Sequence, residues 1–315
     1  SFPTRRSSDL YVAPEIILGK SYSYGVDHWV FEKDICARMA TERENSAFLP
    51  GVRLSANLHP SNDLQKVVAD KDLILLVVPS HVMRPVTARM AELVGSQTLV
   101  ACASKGIEND TLLTMSGVLG ETLPHMPREH YAVLSGPSFA RKVAQQAPTA
   151  VTVASASAGT AKTVQQIFAT PAFRVYAHDD VIGVELGGSV KNVIAIAAGV
   201  IDGLGMGLNT RAALITRGLV EIRRLGLAMG AQPRTFTGLA GAGDLILTCT
   251  GDLSRNHTIG KRIGQGQKLS NLLANMHMVA EGVKTARSAY QLAQREEVTM
   301  PITEMVYRML YEDFP

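Results

Sequence analysis

The sequence predicts an α/β protein in which a doubly wound parallel sheet precedes an all-helical C-terminal domain. Residues 73–78 form a continuous apolar run ended by Pro79, which is typical of a parallel strand buried on both faces. Strand-like and helix-like segments alternate up to Val181, and this alternation is typical of a sheet covered by helices. No convincing strand follows. We therefore assign a first domain to residues 28–182 and a helical domain to residues 183–315.

Short apolar runs bounded by turn residues predict the strands, and apolar residues at helical spacing predict the helices. The predicted strands are residues 26–32, 73–78, 98–103, 131–134, 150–153 and 173–176. The predicted helices are residues 33–45, 112–123, 161–169, 212–225, 258–263 and 283–292. Sheets of this kind bind ligands at the carboxyl ends of their strands. The loops after residues 98–103 and 131–134, which carry Lys105 and Ser138, are therefore candidate ligand loops.

The composition describes a globular protein rather than a disordered or nucleic-acid-binding one. The chain has 315 residues, of which 46% are hydrophobic and 19% charged, and its net charge is only +3. Three dispersed cysteines, Cys36, Cys102 and Cys249, lack metal-ligand spacing and indicate reduced thiols in the cytoplasm. The histidines form no cluster at metal-ligand spacing, so no catalytic metal is predicted. No apolar run approaches the roughly 20 residues of a membrane helix, so no membrane partner is expected.

Residues 1–27 do not continue the pattern of the rest of the chain. Residues 11–18 and 24–29 resemble a protein-kinase segment around its Ala-Pro-Glu motif. The glycine-rich, His-Arg-Asp and Asp-Phe-Gly motifs of kinases are absent, so kinase chemistry is not predicted. Our hypothesis is that this segment is chimeric and replaces the first strand and glycine-rich turn of the sheet.

The stretch at residues 183–199 is rich in small and apolar residues and predicts a buried helix. It contains Glu185, Lys191 and Asn192, whose burial costs free energy unless they find partners. A lysine in a low-dielectric site loses part of its preference for the charged form, which suits it to proton transfer. The alternative is a lysine that extends from a structural helix into solvent.

Two further segments of the helical domain carry polar side chains in patterns that bind ligands. Ser254 is a candidate N-cap residue whose helix amides would bind a phosphate, and Arg255 would add a bidentate donor. Asp244 ends a glycine-rich stretch, residues 238–243, in which the glycine order does not fit a dinucleotide fingerprint. A solvent-exposed arginine and a loop that only allows close helix packing are the alternatives.

These motifs resemble those of the bacterial-type NAD(P)-dependent glycerol-3-phosphate dehydrogenases, over residues 28–311. The motifs are Ser104-Lys105-Gly106, Ser135-Gly136-Pro137-Ser138-Phe139-Ala140, Val190-Lys191-Asn192-Val193-Ile194-Ala195, Gly241-Ala242-Gly243-Asp244, Leu253-Ser254-Arg255-Asn256 and Val279-Ala280-Glu281-Gly282. The resemblance implies a Rossmann-like first domain and a cytoplasmic enzyme, commonly a homodimer. Such an enzyme interconverts dihydroxyacetone phosphate and sn-glycerol 3-phosphate for phospholipid synthesis.

The resemblance also implies a role for each matched residue. Lys191 would be the catalytic proton donor or acceptor. The substrate contacts would be Lys105, Gly136, Ser138, Lys191, Asp244, Ser254, Arg255 and Asn256, and the cofactor contacts would be Lys105, Ala140, Arg255, Val279 and Glu281. The cofactor would be NADP or NAD. Glu32 and Lys33 follow the strand expected to contact its ribose, and their opposite charges leave the choice open.

Two alternatives stay open at this point. The first is another two-domain hydroxyacid or ketoacid dehydrogenase with the same architecture. The second is a non-catalytic chimeric fragment, because residues 1–31 contain only Gly19 and Gly25 and no Gly-x-Gly-x-x-Gly turn. That turn holds the cofactor pyrophosphate at a helix N-terminus, so a chain without it is expected to bind the cofactor poorly.

Overall fold

The computed structural model describes residues 26–30, 32–274 and 281–312. Most of the atypical segment at residues 1–27 therefore lies outside the described residues, as does Val279.

The first part of the chain contains two sheets. Strands β1 (Val26–Trp29) and β2 (Leu58–Ser61) form a parallel pair, and a five-stranded sheet has the order β3-β4-β5-β6-β7. Its strands are β3 (Leu73–Leu76), β4 (Leu99–Cys102), β5 (Tyr131–Ser135), β6 (Thr149–Ala154) and β7 (Phe173–His178).

Helices connect these strands and cover the sheet. They are α1 (Lys33–Glu42), α2 (Leu64–Val68), α3 (Met83–Met90), α4 (Met115–Thr122), α5 (Ala140–Ala144) and α6 (Ala158–Phe168). Buried side chains of the strands fill two apolar clusters, one on each face. Leu73, Leu75 and Ala101 point into one cluster, whereas Ile74, Leu76 and Val100 point into the other. The apolar run at residues 73–78 is therefore buried on both faces, as predicted.

One part of the sheet departs from the predicted parallel arrangement. Strands β3, β4 and β5 are parallel, but β6 pairs antiparallel with β5, and β7 is parallel to β6. The connection between β5 and β6 contains only the five-residue helix α5. Such a helix rises about 7.5 Å, less than half the roughly 17 Å length of β5. The chain therefore enters β6 near the end of β5 at which it left the sheet.

From Val181 onward, the described residues form helices and no strand. These helices are α7 (Val181–Gly203), α8 (Gly207–Ala228), α9 (Asp244–Thr250), α10 (Arg255–Gly264), α11 (Leu269–Ala274), α12 (Glu281–Arg295) and α13 (Pro301–Tyr311). A single apolar core joins α7 to its neighbours through side chains such as Ile194, Ile222, Leu245, Ile259 and Val306. The predicted domain boundary after residue 182 falls just inside the first turn of α7.

Helix α7 has 23 residues, and an 18-residue window of it has a mean hydropathy of 1.5, so the helix is long and apolar enough to cross a membrane. The expectation that no apolar run approaches that length was therefore wrong. However, 89% of its apolar window is buried inside the protein. A buried helix of this composition is typical of a protein core.

Glycines let α7 and α10 cross with their backbones in contact. A Cβ on Gly199 would stand 2.1 Å from the carbonyl oxygen of His257, and one on Gly260 would stand 2.0 Å from that of Ile196. Any side chain at either position would force the two helices apart. The glycines predicted to allow close backbone approach thus bring the start of α10 next to α7.

Candidate active site

A buried ion pair between α7 and α9 forms the centre of the site. Lys191 is only 6% exposed, and its Nζ donates a hydrogen bond to Oδ1 of Asp244, the first residue of α9. The same Nζ donates to Oγ1 of Thr248 at 2.8 Å. Because Thr248 in turn donates to the carbonyl oxygen of Asp244 at 2.6 Å, the ammonium is held from two sides. The alternative of a lysine extending into solvent is thereby ruled out.

A second ammonium group shares the Asp244 carboxylate. Nζ of Lys105 donates to Oδ2 of Asp244 at 2.7 Å and to the carbonyl oxygen of Gly136 at 3.3 Å. Lys105 follows β4, and Gly136 follows β5, so both come from carboxyl ends of parallel strands. The structure therefore brings together Lys105, Lys191 and Asp244 from three separate segments of the chain.

This arrangement changes the acidity of Lys191. Burial lowers the pKa of Lys191, the attraction of Asp244 raises it, and repulsion by Lys105 lowers it, with a net value of about 8. A group with such a pKa exists in both protonation states near neutral pH. Lys191 can therefore both donate and accept a proton, which is the requirement for a reversible proton-transfer step.

The glycine-rich stretch before Asp244 forms a single π-helical turn, Leu239–Gly243, that leads directly into α9. It lies against α7, because a Cβ on Gly187 would stand 2.5 Å from the carbonyl oxygen of Ala240. Close helix packing was considered above as an alternative to a substrate motif. The structure shows that this stretch packs closely against α7 and also positions Asp244 next to Lys191. π-Helical turns inside helices are frequent at functional sites.

The loop that carries Lys105 is fixed to α7 by one hydroxyl group. The backbone N–H of Gly106 donates to Oγ of Ser189 at 2.9 Å, two residues before Lys191. Gly106 has φ +154, and a Cβ there would stand 2.4 Å from Oγ of Ser80. Only glycine fits this conformation without displacing Ser80, so the glycine after Lys105 is a structural requirement of the loop.

The loop after β5 lies beside the same cluster. Oγ of Ser138 donates to the carbonyl oxygen of Gly136 at 3.2 Å. Pro137 lies beside Gly243, the neighbour of Asp244, since a Cβ on that glycine would stand 3.7 Å from Cγ of Pro137. Ala140 begins α5 at the end of this loop. Gly136 and Ser138 thus lie at the predicted edge of the sheet, close to Lys105 and Asp244.

The predicted anion-binding segment forms the first turn of α10. Ser254 is its N-cap residue, as predicted, and Oγ of Ser254 accepts a hydrogen bond from the backbone N–H of His257 at 3.2 Å. Arg255 is exposed at the first helical position. Oδ1 of Asn256 accepts from the backbone N–H of Gly282 at 3.0 Å, which joins this turn to the start of α12.

Glu281, at the start of α12, lies within electrostatic reach of all three cationic residues of the site. Burial raises the pKa of Glu281, and the charges of Arg255, Lys105 and Lys191 oppose that shift. The backbone N–H of Ser80, in the loop after β3, also acts to lower the pKa of Glu281. The first turns of α10 and α12 and the loops after β3 and β4 therefore surround one region.

Comparisons with known proteins identify the family to which these residues belong. The family model described as the NAD-dependent glycerol-3-phosphate dehydrogenase N-terminus matches residues 16–161, and that of the C-terminus matches residues 180–315. The chain belongs to the NAD-dependent glycerol-3-phosphate dehydrogenase family. The N-terminal match begins upstream of residue 28, so the similarity extends into the atypical segment.

Individual relatives agree with this assignment. The chain is 57% identical to glycerol-3-phosphate dehydrogenase [NAD(P)+] of Geobacter sulfurreducens over 91% of this chain and 86% of that protein. Identity to the enzyme of the same name from Syntrophobacter fumaroxidans is 54%, over 95% and 87% of the two chains. The crystal structure of the Coxiella burnetii glycerol-3-phosphate dehydrogenase matches with a TM-score of 0.93 and 37% identity, over 99% and 96% of the chains. The Rossmann-like sheet followed by a helical domain is thereby confirmed.

A hydroxyacid dehydrogenase of another kind shares only the fold. A D-mandelate dehydrogenase superposes with a TM-score of 0.57 at 13% identity, over 95% and 93% of the chains. The first alternative left open by the sequence is therefore less consistent with these comparisons than membership of the glycerol-3-phosphate dehydrogenase family.

Thr248 and Ser189, which support the two lysines of this dehydrogenase site, were not among the site residues predicted from the sequence. Thr248 lies four residues after Asp244 in α9, and this spacing places two helical residues on one face. That spacing was the available signal. Glu185, by contrast, faces away from Lys191, because its carboxylate accepts from the N–H and Oγ of Ser116 at the start of α4, at 2.7 and 2.6 Å.

The polar residues around the site fit a nicotinamide cofactor of the kind that the family uses. Lys105, Arg255 and Glu281 surround the carboxyl ends of β3 and β4, where α/β sheets bind dinucleotides. Oγ1 of Thr285 is buried next to Gly106 and has no hydrogen-bond partner within the described part of the chain. Glu32 and Lys33 are both exposed after β1. Within that same part of the chain, no group of three or more metal-ligating side chains is found.

Proposed function

We propose that this chain interconverts dihydroxyacetone phosphate and sn-glycerol 3-phosphate with NAD(P)H or NAD(P)+ as cofactor. The observation that carries this proposal is the buried Lys105–Asp244–Lys191 cluster beside the first turn of α10. It combines a proton-transfer group of pKa about 8 with a neighbouring anion-binding turn. The names of relatives up to 57% identical support the same reaction.

The chain supplies the proton and the substrate orientation for this reaction. When bound, the cofactor supplies the hydride that adds to carbon 2 of the ketone. In that direction, Nζ of Lys191 donates a proton to the carbonyl oxygen, and in the reverse direction it removes the hydroxyl proton. Asp244 and Thr248 fix the position of Nζ throughout. Enclosure of the cluster excludes water from the proton path and strengthens its electrostatic interactions.

The remaining predicted residues would orient the two ends of the substrate. The amides of the first turn of α10 and the guanidinium of Arg255 would bind the phosphate, with Ser254 and Asn256 fixing that turn. Lys105, Gly136 and Ser138 would contact the hydroxyl and carbonyl end, beside Asp244. For the cofactor, we assign Lys105, Ala140, Arg255 and Glu281 as contacts. Val279 has the same assignment from the sequence alone.

A comparison of phosphorylated and unphosphorylated ketones tests this function. The chain should oxidise NADPH or NADH with dihydroxyacetone phosphate and should be at least about a hundredfold less efficient with dihydroxyacetone, since a charged, bidentate contact is lost. The assay measures kcat/KM by the absorbance of the reduced nicotinamide. Equal efficiency with both ketones would contradict the assignment of a phosphate site.

A second candidate is a non-catalytic chain, favoured by the absence of a Gly-x-Gly-x-x-Gly turn in residues 1–31. A calorimetric titration of the chain with NADPH separates the two candidates without any turnover. Binding in the micromolar range would support the enzyme, because enzymes commonly hold their substrates in that range. An absence of heat at millimolar cofactor would support the non-catalytic candidate.

The two reaction directions should depend on pH in opposite ways. Reduction of the ketone needs protonated Lys191, so its kcat/KM should fall as pH rises through about 8. Oxidation of the alcohol needs neutral Lys191 and should rise over the same interval. Initial rates from pH 6 to pH 10 in a constant-ionic-strength buffer measure both profiles. Profiles that run in the same direction would show that another group limits proton transfer.

We also propose that the protein acts in the cytoplasm, supplies glycerophospholipid synthesis and forms a homodimer. Apolar side chains exposed around the turn between α7 and α8, Leu204, Met206 and Leu208, offer a surface for self-association. Light scattering coupled to size-exclusion chromatography measures the mass directly. A mass near 34 kDa, that of one chain, would contradict the dimer.

A further inference from the structure

The carboxylate of Asp202 joins three helices at the end of α7. Its Oδ2 accepts a hydrogen bond from Nη1 of Arg211 on α8 at 2.7 Å and lies 2.8 Å from Nε2 of His257 on α10. The side chains of His257 and Asp202 are only 10% and 17% exposed. Enclosed charged contacts of this kind are less screened by water than surface pairs. They therefore fix the relative positions of the three helices.

Asp202 is held in its charged form by these two partners. Burial acts to raise the pKa of Asp202, but the hydrogen bonds and charges of His257 and Arg211 outweigh it and lower the pKa below its usual value. The carboxylate is consequently ionised at neutral pH, and the pair persists under conditions in which a dehydrogenase of this family would act.

His257 belongs to the turn that we assign to the substrate phosphate. It is the third residue of α10, after Arg255 and Asn256, and its backbone N–H donates to the N-cap residue Ser254. Its carbonyl oxygen lies against Gly199 of α7. The backbone of His257 thus contacts α7 within the turn itself, and its ring adds a second attachment through Asp202.

Besides this ring, the Ser254 cap and the bond from Gly282 to Asn256 hold the turn through side chains, and the backbone of α10 packs on α7 at Gly199 and Gly260. The contact of the His257 ring with Asp202 adds an attachment of this turn to the end of α7 and, through Arg211, to α8. Binding of a phosphate depends on the directions of the first amides and of the Arg255 side chain, and small rotations alter those directions.

We propose that Asp202 and His257 are positioning residues that hold the first turn of α10 in the orientation required by the substrate phosphate. This inference rests on the proposed function, which assigns the phosphate to that turn. The ring of His257 is directed at Asp202, so neither side chain is assigned a direct contact with the substrate. Both residues act by holding the turn in place.

Two substitutions of His257 test the proposal by steady-state kinetics with dihydroxyacetone phosphate at saturating NADPH. His257→Ala removes the attachment, and KM should rise about tenfold or more with kcat changed less than about threefold. His257→Arg provides an N–H donor for Asp202 and should keep KM within about threefold of the original value. His125→Ala is the control, since the ring of His125 contacts the carbonyl oxygen of Val94 in the first domain.

An unchanged KM in His257→Ala, or an equal loss in His257→Arg, would overturn the positioning role.

A measurement without cofactor keeps this test independent of turnover. sn-Glycerol 3-phosphate at a fixed concentration should raise the Tm of the original chain, because a ligand that binds the folded state stabilises it. The rise should be smaller in His257→Ala and preserved in His257→Arg. Equal rises in all three proteins would contradict the proposal. If the proposed function itself is wrong, the original chain will not turn over the ketone.

Discussion

Replacement of Lys191 by alanine is expected to lower kcat by about a thousandfold while NADPH still binds. General acid–base groups typically contribute factors of about 10² to 10⁴ to a rate, and Lys191 is the group at the centre of the cluster with a pKa of about 8. Its Nζ contacts Asp244 and Thr248, so its loss removes the proton donor without removing the phosphate turn of α10. Stopped-flow or steady-state rates, together with NADPH binding by calorimetry, measure the two properties separately.

Two further variants show whether the loss is chemical. Lys191→Arg retains a positive charge but cannot release its proton at accessible pH, so it should be almost as inactive as Lys191→Ala. Lys71→Ala removes another buried lysine, which pairs with Asp27 at 3.2 Å in the first domain. That control should lower Tm and leave kcat within about threefold of the original. Full activity in Lys191→Arg would mean that charge, and not proton transfer, is the contribution of Lys191.

Replacement of Asp244 by asparagine is expected to lower kcat for ketone reduction by about a hundredfold and to move its pH optimum to lower pH. The Asp244 carboxylate is the counter-ion of two ammonium groups, those of Lys191 and Lys105. Its attraction raises the pKa of Lys191 against the effects of burial and of Lys105. Without it, Lys191 loses its proton at lower pH, and less of the proton donor is present at neutral pH. The pH profile of kcat/KM measures this shift.

The same change should also destabilise the fold. Removing one partner of a buried ion pair leaves uncompensated charge and costs roughly 3–5 kcal/mol. Asp27→Asn is the matched control, since Asp27 pairs with the buried Lys71 in the first domain and belongs to none of the contacts of the cluster. It should lower the free energy of unfolding in denaturant titrations without altering the pH profile. An unshifted profile in Asp244→Asn would indicate that Asp244 does not set the protonation of Lys191.

The sequence predicted the long elements better than the short ones. Residues 73–78 and 183–199 were predicted as a buried strand and a buried helix because unbroken runs of apolar or small residues have few other stable environments. Strand β2 was missed, because Pro60 within a four-residue segment argues against a strand. Helix α13 was also missed, although Pro301 at its first position is a typical start signal.

Chain order and composition alone determined the division into a sheet and a helical part, the N-cap at Ser254 and the identity of the polar residues to examine. These properties depend on local spacing, which the sequence displays directly. The tertiary structure decided the antiparallel entry of β6, the sharing of Asp244 by Lys105 and Lys191, and the attachment of His257 to Asp202. Lys105 and Asp244 are 139 residues apart, and their meeting depends on glycine contacts between helices and on the docking of Gly106 on Ser189. The pKa of Lys191 follows from that packing, because burial and two neighbouring charges set it.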